Sequence, residues 1–444
     1  MGATLIINAN IVNEGKVVEG DVLIRGPYIE RIGPDLQNQR ADVVIDAKAT
    51  HLFPGVIDDQ VHFREPGLTH KGTIYTEARA AVAGGITSYM EMPNTLPPAF
   101  TQKLLEEKYE IASRTSLANY SFYIGASHAN LDEVLKTDSS KVCGLKIFMG
   151  SSTGDLLVDD PVMLERFFSS VPFLIATHCE DETIIRQNAM AFKAKYGEEI
   201  PARFHSLIRP AEGCMKSSGF AIDLARRHGT RLHILHISTA AEANRFDAGP
   251  VEKKKITAEA CVHHLWFNDS DYDRLGMLIK WNPAIKTAAD QQAIFKALAE
   301  DRIDVIATDH APHTREEKNN SYFHAPSGGP LVQHSLVAML EFFHHGKVTL
   351  PWIATKMCHN PAKLFAIEKR GFIREGNFAD LVLVDLNAPW KVESGNILAK
   401  CGWSPFEGTL FRSKVTHTFV SGHLAYAYGQ FNEARQGHRL TFAR

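Results

Sequence analysis

The chain has 444 residues, of which 44% are hydrophobic and 22% are charged, an ordinary composition for a globular protein. Lys and Arg number 48 and Asp and Glu number 51, so the formal net charge is −3. This near balance, without a long run of like charges, argues against a nucleic-acid surface or a polybasic membrane surface. No apolar run approaches the roughly 18 residues that a membrane-spanning helix needs, so we expect a cytoplasmic protein without a membrane segment.

Cysteine and histidine usage narrows the function classes further. The six cysteines include no Cys-x-x-Cys pair and show no regular spacing, which predicts free thiols in a reducing compartment. Histidine is abundant, with 21 copies. Because histidine transfers protons at neutral pH and binds metals, this surplus directs attention to a catalytic or metal site without proving one.

In chain order, the first fifty residues consist of short β-type segments joined by glycine turns, at 4–7, 16–18, 21–24 and 43–45. The last stretch has the same character, with apolar or alternating runs at 372–373, 379–384, 414–420 and 423–428. We therefore predict a small β-sandwich domain built from both chain termini, residues 1–53 and 367–444.

Between these two pieces, eight short apolar runs alternate with helix-length segments, which is typical of βαβ units and a parallel sheet. Strands are predicted at 55–57, 87–92, 120–124, 144–148, 173–177, 232–236, 255–260 and 304–308, and helices at 76–83, 102–112, 211–228, 288–298 and 332–343. Eight such units favour an α/β fold with a closed (β/α)8 barrel over 54–366. A doubly wound open sheet is the alternative, but the Gly-rich phosphate turn that it usually carries is missing from this sequence.

Polar side chains lie at or just after the carboxyl ends of the predicted strands, where barrel enzymes place their catalytic residues. Each of them has an ordinary explanation when taken alone. A single His after a strand more often completes a hydrogen bond than binds a metal, and a single Asp is most often a helix N-cap. His263 and His264 are best explained as residues that orient a loop. The remaining candidates, in strand order, are Gln60, His62 and Arg64; Asn94; Lys146; His178; His236; Asn282; and Asp309 and His313.

Lys146 is the hardest of these residues to explain structurally, because a lysine inside a buried strand is costly unless it is neutralised or paired. It either lies at an exposed edge or carries a carbamate formed from CO2, which is a carboxylate able to bridge two cations. Neutral imidazoles and carboxylates suit Zn²⁺ and related metals. Five such groups on five different strands predict a metal hydrolase site at one mouth of the barrel: His62, Lys146, His178, His236 and Asp309.

Several motifs resemble those of the amidohydrolase superfamily, and the resemblance covers essentially the whole chain. The superfamily motifs are Pro-Gly-Val-Ile-Asp at 54–58 and the segment 371–385, which is typical of the return to the small β domain. Within the superfamily, four motifs resemble those of dihydroorotases: Val-His-Phe-Arg-Glu-Pro-Gly at 61–67, Met-Pro-Asn-Thr at 92–95, Asn-Pro-Ala-Ile-Lys at 282–286 and Asp-His-Ala-Pro-His at 309–313.

The resemblance implies a role for each candidate residue. His62 would bind the more exposed of two zinc ions, and His178 and His236 would hold the second. Lys146, carbamylated to a carboxylysine, would bridge the two ions. Asp309 would act both as a metal ligand and as the proton shuttle. Arg64, Asn94 and His313 would hold the α-carboxylate of the substrate, and Asn282 would contact its pyrimidine ring.

One residue departs from the family pattern, which usually has His-x-His at the end of the first barrel strand. The first of these positions is Gln60, whose amide oxygen is a weaker and uncharged donor. Three alternatives stay open. The site binds two metals with Gln60 as a poor ligand or none, it works with one metal, or the chain is an inactive relative.

The resemblance implies the reversible cyclisation of N-carbamoyl-L-aspartate to L-dihydroorotate, a step of de novo pyrimidine biosynthesis. The rival activities are those of allantoinase and of hydantoinase or dihydropyrimidinase, whose ring substrates lack the carboxylate that Arg64 would bind. A rival of another class is an inactive binding partner of aspartate carbamoyltransferase. The expected partners are a small-molecule substrate, a second copy in a homodimer, and aspartate carbamoyltransferase. Residues 150–154 and 319–330 are the loops expected to move over the substrate.

Overall fold

The computed structural model describes residues 2–48, 50–152 and 154–444. Both chain termini contribute to a nine-stranded sheet, as the sequence predicts. Its two parts meet where His51–Pro54 pairs antiparallel with Leu381–Asp385, so the end of the chain completes the sheet that the beginning starts. The N-terminal strands are Ala3–Asn13, Lys16–Arg25, Tyr28–Gly33, Val43–Asp46 and His51–Pro54, and the C-terminal strands are Leu381–Asp385, Lys414–Val420, His423–Ala427 and Gln430–Phe431. A separate antiparallel pair joins Trp390–Lys391 to Leu410–Phe411.

The middle of the chain forms the predicted (β/α)8 barrel. Its parallel strands are Val56–Val61, Ile86–Glu91, Asn119–Phe122 continued by Ile124–Gly125, Leu145–Phe148, Ile175–His178, Leu232–Ile234, Ile256–Cys261 and Val305–Ala307. The ring closes where Val61 of the first strand bridges His310 after the eighth, with the His62 amide donating to the His310 carbonyl at 2.7 Å. The confirmed barrel brings all eight carboxyl strand ends to one mouth. The exact limits of the two domains stay a prediction.

All residues of the barrel strands except Ile256 are buried, because helices cover the outside of the barrel while side chains fill its interior. Every residue of Val56–Val61 and of Ile86–Glu91 is buried, the pattern expected of parallel strands covered on both faces. The α-helices are Ile74–Ala83, Gln102–Thr115, Leu131–Val134, Pro161–Ser170, Glu182–Tyr196, His205–Ile208, Ala211–His228, Ala240–Ala243, Val262–Trp266, Tyr272–Leu275, Ala288–Ala299, Arg315–Lys318, Ser335–His344, Leu350–Ala354 and Asn360–Phe365.

Local chemistry explains where the first barrel helix begins and which face it buries. Thr73 caps it by accepting from the Thr76 amide, and the Thr76 hydroxyl accepts in turn from the Thr73 amide. The buried face of the helix includes Ala78, Ala81 and Val82.

All six cysteines are free thiols, as predicted. Among the described residues no helix is long and apolar enough to cross a membrane.

Candidate active site

All of the predicted site residues line one cavity of about 220 Å³ at the carboxyl ends of the barrel strands. Residues from the two predicted loops, Ser151, Ser327 and Gly328, complete its wall, while Thr153 lies outside the described residues. The cavity therefore unites side chains that are more than 200 positions apart in sequence. The predicted residues that line it are Gln60, His62, Arg64, Asn94, Lys146, His178, His236, Asn282, Asp309 and His313.

His178 and His236 face each other on one side of the cavity, with His178 Nδ1 lying 2.9 Å from His236 Nε2. Burial lowers the pKa of both histidines, so both are neutral near pH 7, the form that binds metals. On its other side, His178 Nε2 lies 2.9 Å from Glu180 Oε2. A carboxylate only accepts, so Nε2 carries the His178 proton and Nδ1 presents its lone pair to His236.

Glu180 is itself held in place by Arg209. The guanidinium group of Arg209 contacts both oxygens of Glu180, with Nη2 lying 2.6 Å from Oε2 and Nε lying 3.0 Å from Oε1. Burial opposes ionisation of Glu180, but Arg209 and His178 outweigh it and hold the pKa of this carboxyl well below its usual value. An ionised Glu180 therefore fixes both the orientation and the tautomer of His178.

Asp309 and His62 contact each other in the same cavity. Asp309 Oδ1 lies 3.1 Å from His62 Nε2 and accepts a hydrogen bond of 3.0 Å from the Gln60 amide. His62 Nδ1 lies 2.7 Å from Asn94 Oδ1, and burial lowers the pKa of this imidazole as well. Gln60 thus presents its amide nitrogen, rather than a metal-binding oxygen, to the neighbouring carboxylate.

Lys146 projects into this cavity from the middle of the fourth strand and is 1% exposed. Among the described residues no carboxylate forms an ion pair with it, and its Nζ lies 4.5 Å from the centre of the Phe148 ring. Burial lowers the pKa of Lys146 to about 7, although nearby acidic groups oppose this shift. The alternative of an exposed edge position for this lysine is therefore wrong.

The donor set fits a divalent metal. Neutral imidazoles, a carboxylate and an amine that is partly unprotonated at neutral pH surround the same space. His236 Nδ1 is buried and has no hydrogen-bond partner among the described residues. In the neutral pair the His236 proton lies on Nε2 and donates to His178 Nδ1. A metal held by both of these nitrogens would require that proton to move to Nδ1.

The remaining wall of the cavity carries positive charge. Arg64 is 6% exposed, donates from Nε to the Pro312 carbonyl at 3.0 Å, and places Nη2 3.0 Å from His313 Nε2. Lys71 Nζ lies 3.0 Å from His313 Nδ1 and 2.9 Å from Glu317 Oε1. Burial and the Arg64 charge lower the pKa of His313 well below its usual value, so His313 is neutral and Arg64 supplies the charge that faces the cavity.

Three of the site residues have left-handed backbone conformations that non-glycine residues seldom adopt. The φ angles are 73° for Arg64, 40° for His236 and 49° for Asp309. Such conformations cost about 1–3 kcal/mol each and persist where the surrounding structure enforces them. Here they turn the chain as it leaves three barrel strands and aim the side chains into the cavity.

Several residues that contact the predicted ones were not predicted from the sequence. Glu180 follows His178 by two positions and could have been noticed, because a carboxylate is a common second partner of a metal-binding histidine. Arg209, Lys71 and Trp281 reach the site from loops, where no strand pattern marks them.

A larger cavity of about 680 Å³ lies between helices outside the barrel, around Trp266 and Phe295, and none of the predicted site residues line it.

Comparison with known proteins identifies the family. The amidohydrolase family model matches residues 51–425. A dihydroorotase of Halobacterium salinarum is 32% identical over 406 residues, covering 91% of this chain and 92% of that protein. An allantoinase of Solibacter usitatus is 30% identical over 447 residues, covering 99% and 97%. An L-hydantoinase (dihydropyrimidinase) from Arthrobacter aurescens shares the fold with a TM-score of 0.93 at 26% identity, covering 99% of this chain and 100% of that one.

The chain therefore belongs to the amidohydrolase family. Together, these relatives indicate an enzyme that hydrolyses a cyclic amide in a small-molecule substrate, in a family that depends on metals. They divide among several ring substrates, so the choice of substrate depends on the cavity itself.

Proposed function

We propose that this protein is a dihydroorotase, which interconverts N-carbamoyl-L-aspartate and L-dihydroorotate plus water in de novo pyrimidine biosynthesis. The observation that carries the proposal is Arg64. Its guanidinium group is buried beside the metal ligands, and among the described residues no carboxylate lies within ion-pair distance of it. A buried cation without an anionic partner is costly, so this wall of the cavity is suited to a substrate that brings its own carboxylate.

The other residues around Arg64 suit the rest of such a substrate. Asn282 Oδ1 is buried and has no hydrogen-bond partner among the described residues, so it is available to accept from a ring N–H. Asn94 contacts His62 and lines the same cavity as Arg64. Arg64, Asn94 and His313 would bind the α-carboxylate, which places the ring amide toward Asp309.

Asp309 is the group proposed to move the proton. Both of its side-chain contacts involve Oδ1, which leaves Oδ2 for the reaction. In hydrolysis, Asp309 would take a proton from the attacking water and deliver it to the ring nitrogen as the amide C–N bond breaks. In the reverse direction it would take the proton from the carbamoyl nitrogen as the ring closes.

The residues proposed to hold zinc are His62, Lys146, His178, His236 and Asp309. A zinc ion lowers the pKa of bound water from 15.7 to about 7 and polarises an amide carbonyl. Lys146 would contribute as a carbamate, formed when its neutral amine adds to CO2 and releases a proton. A pKa of about 7 keeps a sizeable share of that amine neutral at physiological pH. The Gln60 amide donates to Asp309, which favours the alternatives in which Gln60 is not a ligand.

Allantoinase activity is the second candidate, because an allantoinase matches over 99% of the chain. The test is a panel of L-dihydroorotate, allantoin, dihydrouracil and hydantoin, offered to the protein after loading with Zn²⁺ and bicarbonate. We expect ring opening of L-dihydroorotate alone. Turnover of allantoin or hydantoin without turnover of dihydroorotate would refute the proposal. No turnover of any ring by fully metal-loaded protein would instead favour the inactive binding partner.

The assembly of the protein forms a separate part of the proposal and follows from the family resemblance. We expect a homodimer in the cytoplasm that associates with aspartate carbamoyltransferase. Sedimentation of the chain alone, and then with that enzyme, measures both associations. A monomer that sediments independently would refute this part and leave the proposed reaction intact.

A further inference from the structure

Three buried polar side chains meet inside the barrel, one layer below the cavity. Asp59, His233 and Glu259 come from the first, sixth and seventh strands, and each is 0% exposed. His233 Nε2 lies 3.1 Å from Asp59 Oδ2 and 3.8 Å from Glu259 Oε2. One donor atom from each residue lies within 4.8 Å of the others. We call these three residues the core triad.

The proton of a neutral His233 is fixed on the nitrogen that faces away from the carboxylates. The Thr257 hydroxyl donates to the Leu232 carbonyl at 3.2 Å, so its oxygen accepts from His233 Nδ1 at 2.9 Å. His233 Nε2 then presents a lone pair toward Asp59 and Glu259. Three lone-pair donors directed at the same space repel one another unless a positive charge lies between them.

Glu259 is oriented in the same manner. Its Oε1 accepts from the His236 amide at 3.0 Å and from the Cys261 thiol at 3.1 Å. Its Oε2 has no hydrogen-bond partner among the described residues, and the same is true of both Asp59 oxygens and His233 Nε2. Each member of the core triad thus has at least one potential metal-binding atom without a hydrogen bond. Hydrogen bonds to neighbouring groups hold His233 Nδ1 and Glu259 Oε1 in place.

Charge balance restricts what can lie between these atoms. Two ionised carboxylates and a neutral imidazole carry a charge of −2, which two protons or one divalent cation would neutralise. Burial lowers the pKa of His233, but the carboxylates outweigh it and raise this pKa to about 9. Burial and the neighbouring Asp59 raise the pKa of Glu259 to about 7, so protons on His233 and Glu259 are the competing occupants. Protons shared within the triad would require aligned hydrogen bonds, and the 3.1 Å contact between His233 and Asp59 lacks that alignment.

We infer that the core triad is a second metal site, for a divalent cation such as Zn²⁺, separate from the catalytic metals proposed above it. Two tetrahedral zinc ligands with bonds of 2.0–2.2 Å lie about 3.4 Å apart. The His233 contacts of 3.1 and 3.8 Å lie on either side of that value. A cation here would tie the first strand to the sixth and seventh and fix the strand segments that lead to His62 and His236.

The direct test is a crystal of the unmodified protein grown with Zn²⁺, with data collected on both sides of the zinc absorption edge. We expect an anomalous peak about 2.0–2.2 Å from His233 Nε2 and from one oxygen each of Asp59 and Glu259. Peaks confined to the cavity, with no signal between these three residues, would overturn the inference and identify protons as the occupants.

A metal count provides the second test, with a matched control in the neighbouring residue. Asp58 is also a buried carboxylate on the first strand, but it accepts from the Thr308 hydroxyl instead of joining the triad. We expect Asp59→Asn to contain one zinc fewer per chain than Asp58→Asn and the unmodified protein. Equal zinc content in all three proteins would contradict the inference. If Asp59→Asn does not fold, the crystal measurement on the unmodified protein decides the question.

Discussion

The active-site cavity of about 220 Å³ has two sides with opposite electrostatic character. One side carries neutral bases and the other carries a positive charge. On the side of His178, His236 and Lys146, burial removes protons from bases and leaves lone pairs for a cation. On the side of Arg64, burial lowers the pKa only to about 10, so the guanidinium group keeps its charge at neutral pH.

The difference follows from residue chemistry, because both sides are equally buried. Lysine and histidine have ordinary pKa values close enough to 7 for burial to neutralise them. The ordinary pKa of arginine is so much higher that a buried arginine keeps its charge. Burial therefore prepares one side for metals and the other for an anion. Each of the following experiments alters one side and asks whether the other responds.

The largest effect is expected where the two sides meet, at Asp309. In Asp309→Asn, turnover of L-dihydroorotate should fall about 10²–10⁴-fold, because the amide cannot accept and return the proton. The KM should change little, since Arg64 still binds the carboxylate. Steady-state kinetics at matched zinc content measure both values, and near-normal turnover would refute the role of Asp309.

Arg64→Lys alters the anion side alone. Lysine keeps the charge but loses one of the two paired hydrogen bonds, worth about 1.5–3 kcal/mol, so kcat/KM for L-dihydroorotate should fall about 10–100-fold. The controls are the zinc content and the thermal unfolding temperature of the variant, both of which should be unchanged. A clear fall in either value would mean that Arg64 supports the fold rather than the substrate.

Glu180→Gln alters the metal side through its support of His178. Loss of the charged partner should weaken zinc binding about 10–100-fold, as measured by competition with a chromophoric chelator. Glu182→Gln is the matched control, because Glu182 accepts from the Ser151 amide at 2.6 Å rather than contacting His178. The same zinc affinity in both variants would show that Glu180 does not position the ligand.

The smallest effect is expected at Lys71, the second cation near His313. Its charge is already paired with Glu317, so Lys71→Met should raise the KM only about 2–5-fold, in line with an interaction worth under about 1 kcal/mol. Inhibition by a carboxylated ring analogue gives an independent measure. A loss as large as that of Arg64→Lys would show that the anion side is not centred on Arg64.

The barrel could be predicted from the sequence because apolar residues are spaced differently in strands and in helices. The eight apolar runs correspond to the eight strands, and the helix predicted at 211–228 has those limits in the structure. The helix predicted at 332–343 spans Ser335–His344 instead, and His334 precedes it without a side-chain capping hydrogen bond. Such boundary errors arise because a cap depends on local backbone geometry that hydrophobic pattern does not report.

The candidate site could be predicted from the sequence where its residues lie at the carboxyl ends of the strands, because these ends meet at one mouth of the barrel. His62, Lys146 and Asp309 were chosen because barrel geometry brings carboxyl strand ends together, and they do line one cavity. Asp59 shows the limit of this reasoning. It stands beside Gln60 in sequence, yet a register irregularity between Asp58 and Val61 accompanies its turn into the interior toward His233. A local change in strand register cannot be deduced from residue types.

A crystal structure of the zinc-loaded protein with L-dihydroorotate tests the division of the cavity most directly. We expect the carboxylate of the ligand to lie within hydrogen-bond distance of the Arg64 guanidinium group, with the ring amide turned toward Asp309 and the histidines. A ligand bound with its carboxylate on the histidine side, or with Arg64 turned away from it, would contradict the account.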